Sequence, residues 1–153
     1  MMNSLDINRI LKKNKHTKKN FVSVLPYDYI TSIKPPERNN LHTSFIVNNQ
    51  PSTMNGLHWL ALYLSKSQIE LFDPLSFPPD IFYSELFNYL KSINKNIIIS
   101  PFPIQPFNSK TCGVHCINYI FLRSLKMTHF EIFNLYYSKN QSNNDYIVSN
   151  YFA

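Results

Sequence analysis

The sequence predicts an α+β fold, because strand-like and helical patterns both occur and the chain has enough apolar residues to form a core. Of its 153 residues, 44% are hydrophobic and 16% are charged, which is typical of a folded domain. Strands are expected at residues 21–25, 43–47, 57–64, 68–72 and 97–99. Helices are expected near the N-terminus and at residues 82–93, 113–125 and from 128 onward. We expect one domain over residues 1–153.

Residues 1–20 are predicted to form a short basic helix and tail. Ser4 can cap the helix, whose apolar residues are Leu5, Ile7, Ile10 and Leu11. The lysine run of this segment comprises Lys12, Lys13, Lys15, Lys18 and Lys19. Because the net charge of the chain is +6, the run suits an acidic partner, either nucleic acid or an acidic protein surface. A solvated, frayed terminus explains the run equally well.

The third and fourth expected strands are predicted to form a β-hairpin. If Ser65 and Lys66 make its loop, His58 lies opposite Asp73, so that a base faces an acid. A three-residue loop would place His58 opposite Pro74 instead, since the register shifts by one residue. Pro74 should also hold the preceding aspartate in an extended conformation.

The second half of the chain is predicted to place a cysteine at the start of a helix. Residues 97–99 are expected to form a short buried strand, followed by a proline-rich loop. Cys112 lies in the first turn of the buried helix expected at 113–125. Thr128 and Glu131 have the spacing of a capping box, so they should begin the last helix. The tail that follows is polar and then aromatic.

The cysteines and the apolar segments indicate an intracellular protein. Cys112 and Cys116 lie four residues apart in a predicted helix, where backbone geometry disfavours a disulfide. The N-terminus lacks the apolar segment of a secretion signal, and no apolar stretch is long enough to span a membrane. We therefore expect an intracellular monomer that does not bind membranes.

Three side chains have the chemistry of nucleophilic catalysis. Cys112 at a helix N-terminus would feel the positive end of the helix dipole, which favours the thiolate. His58 can act as its base, and the carboxylate of Asp73 can orient the imidazole. The two glycines of the chain, Gly56 and Gly113, lie two residues before the histidine and directly after the cysteine. Glycine suits positions where the backbone must be approached closely.

Other interpretations of these residues are less specific. A zinc site from His58, Cys112, His115 and Cys116 is conceivable, but the sequence has no CxxC knuckle, and adjacent helical residues point apart. We therefore predict no metal site. His115 could be the base instead, but we expect it to lack a facing carboxylate and to be a core residue or a helper. Taken singly, each candidate cysteine or histidine fits an ordinary core position.

Three motifs, GLHW at 56–59, LFDPL at 71–75 and QPFNSKTCGVHC at 105–116, occur in this order. Together they resemble the adenovirus-type cysteine protease family, which shares a clan with the proteases of ubiquitin-like modifiers. The resemblance implies a central mixed or antiparallel sheet flanked by helices. It also implies that the nucleophilic cysteine lies at the N-terminus of a buried helix.

The resemblance assigns a role to each candidate residue. It implies Cys112 as the nucleophile, His58 as general base and then acid, and Asp73 as the orienting acid. The residues implied to form the oxyanion hole or to support the active site are Gln105, Trp59 and Gly113. Such an enzyme requires no metal or other cofactor.

The implied function is that of a cysteine endopeptidase from a virus or virus-like element, which cleaves virion or capsid precursor proteins at glycine-containing sites. Its location would be the virion or the host nucleus. Adenoviral members are activated by DNA and by a peptide that is bound through a disulfide. Because no cysteine lies between His58 and Cys112, we expect DNA or a non-covalent peptide as activator, with the lysine run contacting phosphates.

Two alternative functions remain open at this point. A deconjugating protease for a ubiquitin-like modifier would use the same catalytic residues and differ in the surface that docks the modifier. A non-enzymatic nucleic-acid-binding module would use the lysine run and leave Cys112 and His58 as core residues.

Overall fold

Five strands and a series of helices make up the described part of the chain. The structure, a computed structural model, describes residues 2–50, 58–93 and 96–152. The strands are β1 (Phe21–Leu25), β2 (Thr43–Asn48), β3 (Trp59–Leu64), β4 (Gln68–Phe72) and β5 (Asn96–Ile99). The α-helices are α1 (Ser4–Lys13), α2 (Pro79–Phe82), α3 (Ser84–Ser92), α4 (Cys112–Ser124), α5 (His129–Glu131) and α6 (Gln141–Phe152). A 3-10 helix spans Tyr27–Ser32, and a π-helical turn at Ile132–Tyr136 continues α5.

The strands form one mixed sheet in the order β1-β2-β3-β4-β5. The two outer pairs, β1 with β2 and β4 with β5, are parallel. The two inner pairs, β2 with β3 and β3 with β4, are antiparallel. Helices flank this sheet, so the predicted α+β fold class is confirmed. None of the helices in the described ranges is long and apolar enough to cross a membrane.

Both faces of the sheet carry a core, because apolar side chains of β3 alternate between them. All six residues of β3 are buried. On one face Trp59, Ala61 and Tyr63 belong to a cluster with residues of α1 and α4. On the other face Leu60, Leu62 and Leu64 cluster with residues of α3 and the 3-10 helix. Strand β3, at the centre of the sheet, is therefore packed against apolar side chains on both of its faces.

The hairpin register differs from both registers expected from the sequence. Leu64 pairs with Ile69, and the backbone N–H of Ser65 donates to the carbonyl of Gln68 at 2.9 Å. The two-residue loop is therefore Lys66 and Ser67, one residue later than predicted. Relative to the first expected register, each β3 residue has a partner shifted by two positions. A shift of two keeps every side chain on its predicted face, since side chains alternate along a strand.

Several helix boundaries also differ from the predictions. Asn3, rather than Ser4, caps α1, because its side chain accepts from the N–H of Asp6 at 2.9 Å and the pair forms a capping box. The helix predicted at 82–93 corresponds to α3, and a separate short helix, α2, precedes it, with Tyr83 between the two. Helices α1 and α3 are otherwise where the apolar spacing placed them.

In the last third of the chain, two of the structural predictions are confirmed and two features differ from the predictions. Helix α4 and the capping box of Thr128 with Glu131 are confirmed. The strand predicted as buried, β5, lies at the sheet edge, where Ile99 is 44% exposed. The polar tail contains helix α6, which the sequence pattern did not indicate.

A buried ion pair attaches the C-terminal part of α4 to the sheet. The Arg123 guanidinium donates to Glu70 on β4 through Nε at 2.7 Å and Nη2 at 2.9 Å. Glu70 is 3% exposed, and the hydroxyl of Tyr119 also donates to it. The guanidinium lies over the ring of Tyr63, 4.6 Å from its centroid. This cluster fixes α4 against β3 and β4.

We predict that Arg123→Ala lowers the free energy of unfolding by about 3 kcal/mol, because it leaves the buried Glu70 carboxylate without its cation. Urea unfolding monitored by circular dichroism would measure the loss. Arg9→Ala is the matched control, since Arg9 pairs with Asp6 at 3.3 Å with both side chains exposed, and such pairs contribute less than about 1 kcal/mol. Equal effects of the two substitutions would contradict this account.

Candidate active site

His58 and Asp73 meet at the ends of two neighbouring strands. His58 directly precedes β3 and Asp73 directly follows β4. The Nε2 atom of His58 lies 2.6 Å from Oδ1 of Asp73, and both residues are buried. The backbone of His58 is fixed by Asn49, whose Oδ1 accepts from its N–H at 2.9 Å. The structure thus brings together the base and the acid that the sequence placed on one face of the hairpin.

The Asp73 carboxylate is held by three further donors. Its Oδ1 accepts from the N–H of Leu75 at 2.8 Å, and its Oδ2 accepts from the N–H of Phe77 at 3.1 Å. The hydroxyl of Tyr83 donates to Oδ2 at 3.2 Å. Burial and the neighbouring Asp73 charge raise the pKa of Tyr83, so this hydroxyl keeps its proton and remains a donor. These bonds fix the carboxylate toward the imidazole.

His58 is charged at neutral pH in this environment. Burial lowers its pKa, but hydrogen bonds and charge interactions with Asp73 and Cys112 raise the pKa to about 9. The imidazolium therefore interacts with the Asp73 carboxylate and with Cys112. This arrangement can stabilise a thiolate and later supply a proton.

The two cysteines lie in different environments. Cys112 is the first residue of α4 and is 3% exposed. Cys116 lies one turn further along, where its Sγ donates to the carbonyl oxygen of Trp59 at 3.3 Å. Burial raises the pKa of Cys116 well above the ordinary thiol value, so it stays a protonated core thiol. Within the described ranges both cysteines are free of disulfides, and no three His, Cys, Asp or Glu side chains are grouped as metal ligands.

Gly113 allows α4 to pack closely beneath the site. A Cβ atom at this position would lie 3.2 Å from Cδ1 of Trp59 and 3.4 Å from Cδ1 of Ile7. The first contact is tighter than most Cβ contacts, so a larger residue would push against the indole. Trp59 thus packs against Gly113, the residue that follows Cys112. Gly56, the other glycine singled out in the sequence, lies outside the described residues.

Gln105 lies in the loop between β5 and α4 and is 2% exposed. Its Nε2 donates to the carbonyl of Ser109 at 2.9 Å, whereas its Oε1 has no hydrogen-bond partner among the described residues. The N–H groups of Ile104 and Gln105 donate to the carbonyl of Pro74 at 2.9 and 3.2 Å. The segment after Asp73 therefore holds the loop that carries Gln105.

Sequence reasoning missed several residues around the site. Tyr83 donates to Asp73 across ten positions of sequence, and no motif marks it. His115 does have a facing carboxylate, contrary to the expectation, because its Nε2 lies 2.8 Å from Oδ1 of Asp145. The side chain of Asp145 comes from α6, the helix that the sequence pattern did not indicate. These contacts join residues far apart in the chain, which local patterns do not reveal.

The lysine run ends near the C-terminal end of α4, where Lys19 lies. Its five residues are exposed, on the last turn of α1 and in the turns that follow. Lys19 lines a cavity of about 520 Å³ together with His16, His42, Arg123 and Lys126. Arg123 lies 11 residues after Cys112, which corresponds to roughly 16 Å along the helix. The structure therefore separates this basic surface from the candidate catalytic residues.

Comparisons with known proteins identify the fold. No family model matches the sequence and no curated protein matches it. The structure of an ASFV protease matches with a TM-score of 0.60 at 13% identity, over 95% of this chain and 64% of that chain. The SUMO protease Ulp1, with its catalytic cysteine oxidised, matches with a TM-score of 0.55 at 14% identity, over 99% and 79% of the two chains.

A third solved structure, the central domain of an uncharacterized Legionella pneumophila protein, gives a TM-score of 0.53 at 14% identity, over 99% of this chain and 93% of that chain. The chain spans less than two thirds of the ASFV protease, 64% of its length. At these identities the similarity concerns the fold. The chain has the fold of Ulp1-like cysteine proteases.

We predict that the free energy of unfolding falls as the pH rises from about 6.5 to about 9, through the titration of His58. The unfolded histidine loses its proton near pH 6.5, whereas the folded one keeps it until about pH 9. At His58 the folded state binds more protons in this window, so the stabilisation from this residue is complete below it and is lost across it. Urea unfolding at several pH values would measure the slope.

His58→Gln is the control for this prediction, because it removes the titrating group while keeping a hydrogen-bonding side chain. The difference in stability between wild type and variant should shrink as the pH rises. A difference that stays constant from about pH 6.5 to about pH 9 would contradict the raised pKa.

Proposed function

We propose that this chain is a cysteine endopeptidase that acts on protein substrates. The observation that carries the proposal is the contact of His58 with the Asp73 carboxylate, at 2.6 Å, together with the interaction of His58 with Cys112 at the N-terminus of α4. A nucleophile, its base and an orienting acid in contact form the arrangement that acyl transfer requires. The fold shared with cysteine proteases supports the same reaction class.

In the proposed reaction the Cys112 thiolate attacks the carbonyl carbon of the peptide bond, and the C=O electron pair moves onto the oxygen. The N–H of Cys112 and the side-chain amide of Gln105 donate to this oxyanion. His58 then protonates the leaving amine, so that the C–N bond breaks and a thioester remains. Water, deprotonated by the neutral imidazole, hydrolyses the thioester and restores the thiolate. No metal or other cofactor takes part.

The proposed substrate is a precursor protein of a virus or virus-like element, cleaved at glycine-containing sites in the virion or the host nucleus. The motifs GLHW, LFDPL and QPFNSKTCGVHC support this choice through their resemblance to adenovirus-type proteases. The similarity in fold to an ASFV protease agrees with it. We further propose DNA or a non-covalent peptide as the activator.

We predict that the purified chain cleaves members of a glycine-containing peptide library and that Cys112→Ala lowers turnover at least about a thousandfold, because the nucleophile is lost. Cys116→Ala is the matched control, since it removes the other thiol from the same helix and should keep most of the activity. Liquid chromatography with mass spectrometry of the products would measure both, with and without DNA.

Two outcomes of this experiment would count against the proposal. Equal turnover by wild type and Cys112→Ala would exclude Cys112 as the nucleophile. Absence of cleavage, with DNA binding that Cys112→Ala leaves unchanged, would favour the non-enzymatic nucleic-acid-binding module.

A deconjugating protease for a ubiquitin-like modifier is the second candidate function. One of the solved structures with this fold is that of a SUMO protease, Ulp1. Such an enzyme needs a folded modifier as substrate, because much of the recognition comes from the modifier surface. Faster cleavage of a modifier fusion than of a free peptide with the same cleavage sequence would favour this candidate.

Exposed aromatic rings beside His58 indicate how a substrate could be held. Phe77 lies 6.0 Å from the His58 ring, and it stacks on Phe82 at 4.6 Å and contacts Phe107 edge-on at 6.3 Å. Phe82 is 56% exposed and Phe107 is 80% exposed, and exposed apolar clusters of this kind mark interaction sites. Because His58 protonates the leaving amine, this aromatic rim borders the residues that follow the cleaved bond. We propose that it binds an apolar side chain there.

We predict that Phe107→Ala raises KM about tenfold for peptides with an apolar residue after the cleaved bond, because the substrate buries less apolar surface. Peptides with serine at that position should be affected much less. Phe130→Ala is the matched control, since Phe130 is 70% exposed on α5. Steady-state kinetics on paired peptides would measure the change, and equal losses on both peptides would argue against the rim.

The lysine run is proposed to bind DNA through its phosphates. Its five exposed ammonium groups are close in sequence, and Lys19 borders a cavity that also carries Lys126 and two histidines. Clustered cations of this kind bind phosphates without sequence preference. Since the surface lies away from Cys112, bound DNA would leave the active site open.

We predict that replacing Lys15, Lys18 and Lys19 together by glutamine weakens the salt dependence of DNA binding. The negative slope of log K against log salt concentration should become smaller in magnitude by about one unit for each lost phosphate contact. Replacing Lys34, Lys66 and Lys139, which are exposed elsewhere, makes the same change in net charge and is the control. Fluorescence anisotropy over a salt series would measure the slopes. Identical slopes for the two triple variants would argue against a specific role of the run.

A further inference from the structure

A second histidine–carboxylate pair lies behind the loop that carries Gln105. His115 on α4 is fully buried, and its Nε2 lies 2.8 Å from Oδ1 of Asp145 on α6. Its Nδ1 lies 3.0 Å from the hydroxyl of Tyr137. Because a carboxylate oxygen can only accept, Nε2 donates to Asp145, while the Tyr137 hydroxyl lies against Nδ1. The pair is thus oriented from both sides, but the proposed reaction does not use it.

Asp145 also connects to the end of the Gln105 loop, residues 105–111. The hydroxyl of Thr111 donates to Oδ1 of Asp145 at 2.7 Å, and the hydroxyl of Ser109 lies 2.9 Å from that of Thr111. The carbonyl of Ser109 accepts from Nε2 of Gln105 at 2.9 Å. A chain of four polar contacts therefore runs from His115 through the carboxylate to the amide of Gln105.

The same helix holds the segment just before Gln105. The side-chain amide of Asn144 donates to the carbonyl of Ile104 at 3.1 Å, and that of Gln141 donates to the carbonyl of Pro103 at 3.4 Å. Asn144 is 1% exposed, so its contact replaces hydration of the buried carbonyl. Helix α6 therefore contacts the loop before and after Gln105.

The contact of Thr111 with Asp145 also affects the start of α4. Thr111 occupies the N-cap position, where a threonine hydroxyl usually accepts from a backbone N–H of the first helical turn. In the described structure this side chain makes no capping hydrogen bond; its hydroxyl faces Asp145 instead. The N–H groups at the start of α4, beside Cys112, are therefore left without a side-chain cap and can face negative charge.

We propose that Asp145, fixed by His115, positions the Gln105 loop and keeps Thr111 from capping α4, so that helix α6 sets the geometry of the oxyanion hole. This inference rests on the proposed function. The orientation of the Gln105 amide follows from the contacts of Ser109, because its carbonyl accepts from Nε2 and would repel Oε1. An oxyanion donor must be preorganised to contribute to catalysis. The Gln105 loop is irregular, and its contacts with α6 hold the donor in place.

Thr111→Val and Asp145→Ala test the positioning role, with Asn143→Ala, an exposed residue of the same helix, as matched control. Thr111→Val and Asp145→Ala should each lower kcat for peptide cleavage about tenfold or more with little change in KM, because the oxyanion donors are misplaced in the transition state. Thr111→Ser keeps the hydroxyl and should restore kcat. Asn143→Ala should behave as wild type.

Alkylation of Cys112 by iodoacetamide separates positioning from a general loss of structure. Alkylation is a displacement at carbon that creates no oxyanion, so its rate depends on the thiolate and His58 but not on Gln105. Thr111→Val, which leaves α4 uncapped as in wild type, should therefore alkylate at the wild-type rate while cleaving peptides slowly. Equal losses of alkylation and cleavage in Thr111→Val, or unchanged kcat in both Thr111→Val and Asp145→Ala, would overturn the proposal.

Hydrogen exchange keeps the inference testable if the proposed function fails. In Asp145→Ala the backbone amides of residues 105–112 should exchange about tenfold faster than in wild type, whereas those of α3 should not change. Faster loop exchange in a chain that cleaves nothing would retain the positioning role and reject the peptidase. Unchanged loop exchange would reject the positioning role whatever the activity.

Discussion

The Asp73 carboxylate accepts hydrogen bonds from His58, from the N–H groups of Leu75 and Phe77 and from the hydroxyl of Tyr83. A buried negative charge is costly unless it is paired and fully hydrogen-bonded, and here it is both. The proton on His58 depends on this charge, and the His58 imidazolium in turn borders the Cys112 sulfur. The other contacts of the site position Cys112 and the Gln105 loop beside the pair of His58 and Asp73.

Two loops are tied together next to that pair. The carbonyl of Pro74, directly after Asp73, accepts from the N–H groups of Ile104 and Gln105, so the orienting acid and the proposed oxyanion donor share one backbone contact. Helix α4 is fixed at its far end by the ion pair of Arg123 with Glu70. Its near end packs on the Trp59 indole, which Gly113 permits. Cys112 is thereby positioned by contacts on both ends of its helix.

The sequence predicted those parts of the fold and site that depend on short-range patterns. The start of α4 at Cys112 and the capping box at Thr128 follow from local spacing and are confirmed. His58 and Asp73 meet although the predicted register was wrong, because a shift of two residues preserves the face of each side chain. Helix α6 was missed because Asn144 and Asp145 contact residues 30 to 40 positions away in the chain. Such contacts leave no periodic pattern of apolar residues in the local sequence.

The central claim is that His58 activates Cys112 for attack on a carbonyl carbon, and covalent capture tests it most directly. The chain would be treated with a peptide that ends in glycine and carries a vinyl sulfone in place of the cleaved bond, and the adduct located by mass spectrometry. The account predicts a single adduct on Cys112 whose formation is at least about a hundredfold slower in His58→Gln. Labelling of Cys112 at equal rates in wild type and His58→Gln, or labelling of Cys116 instead, would contradict it.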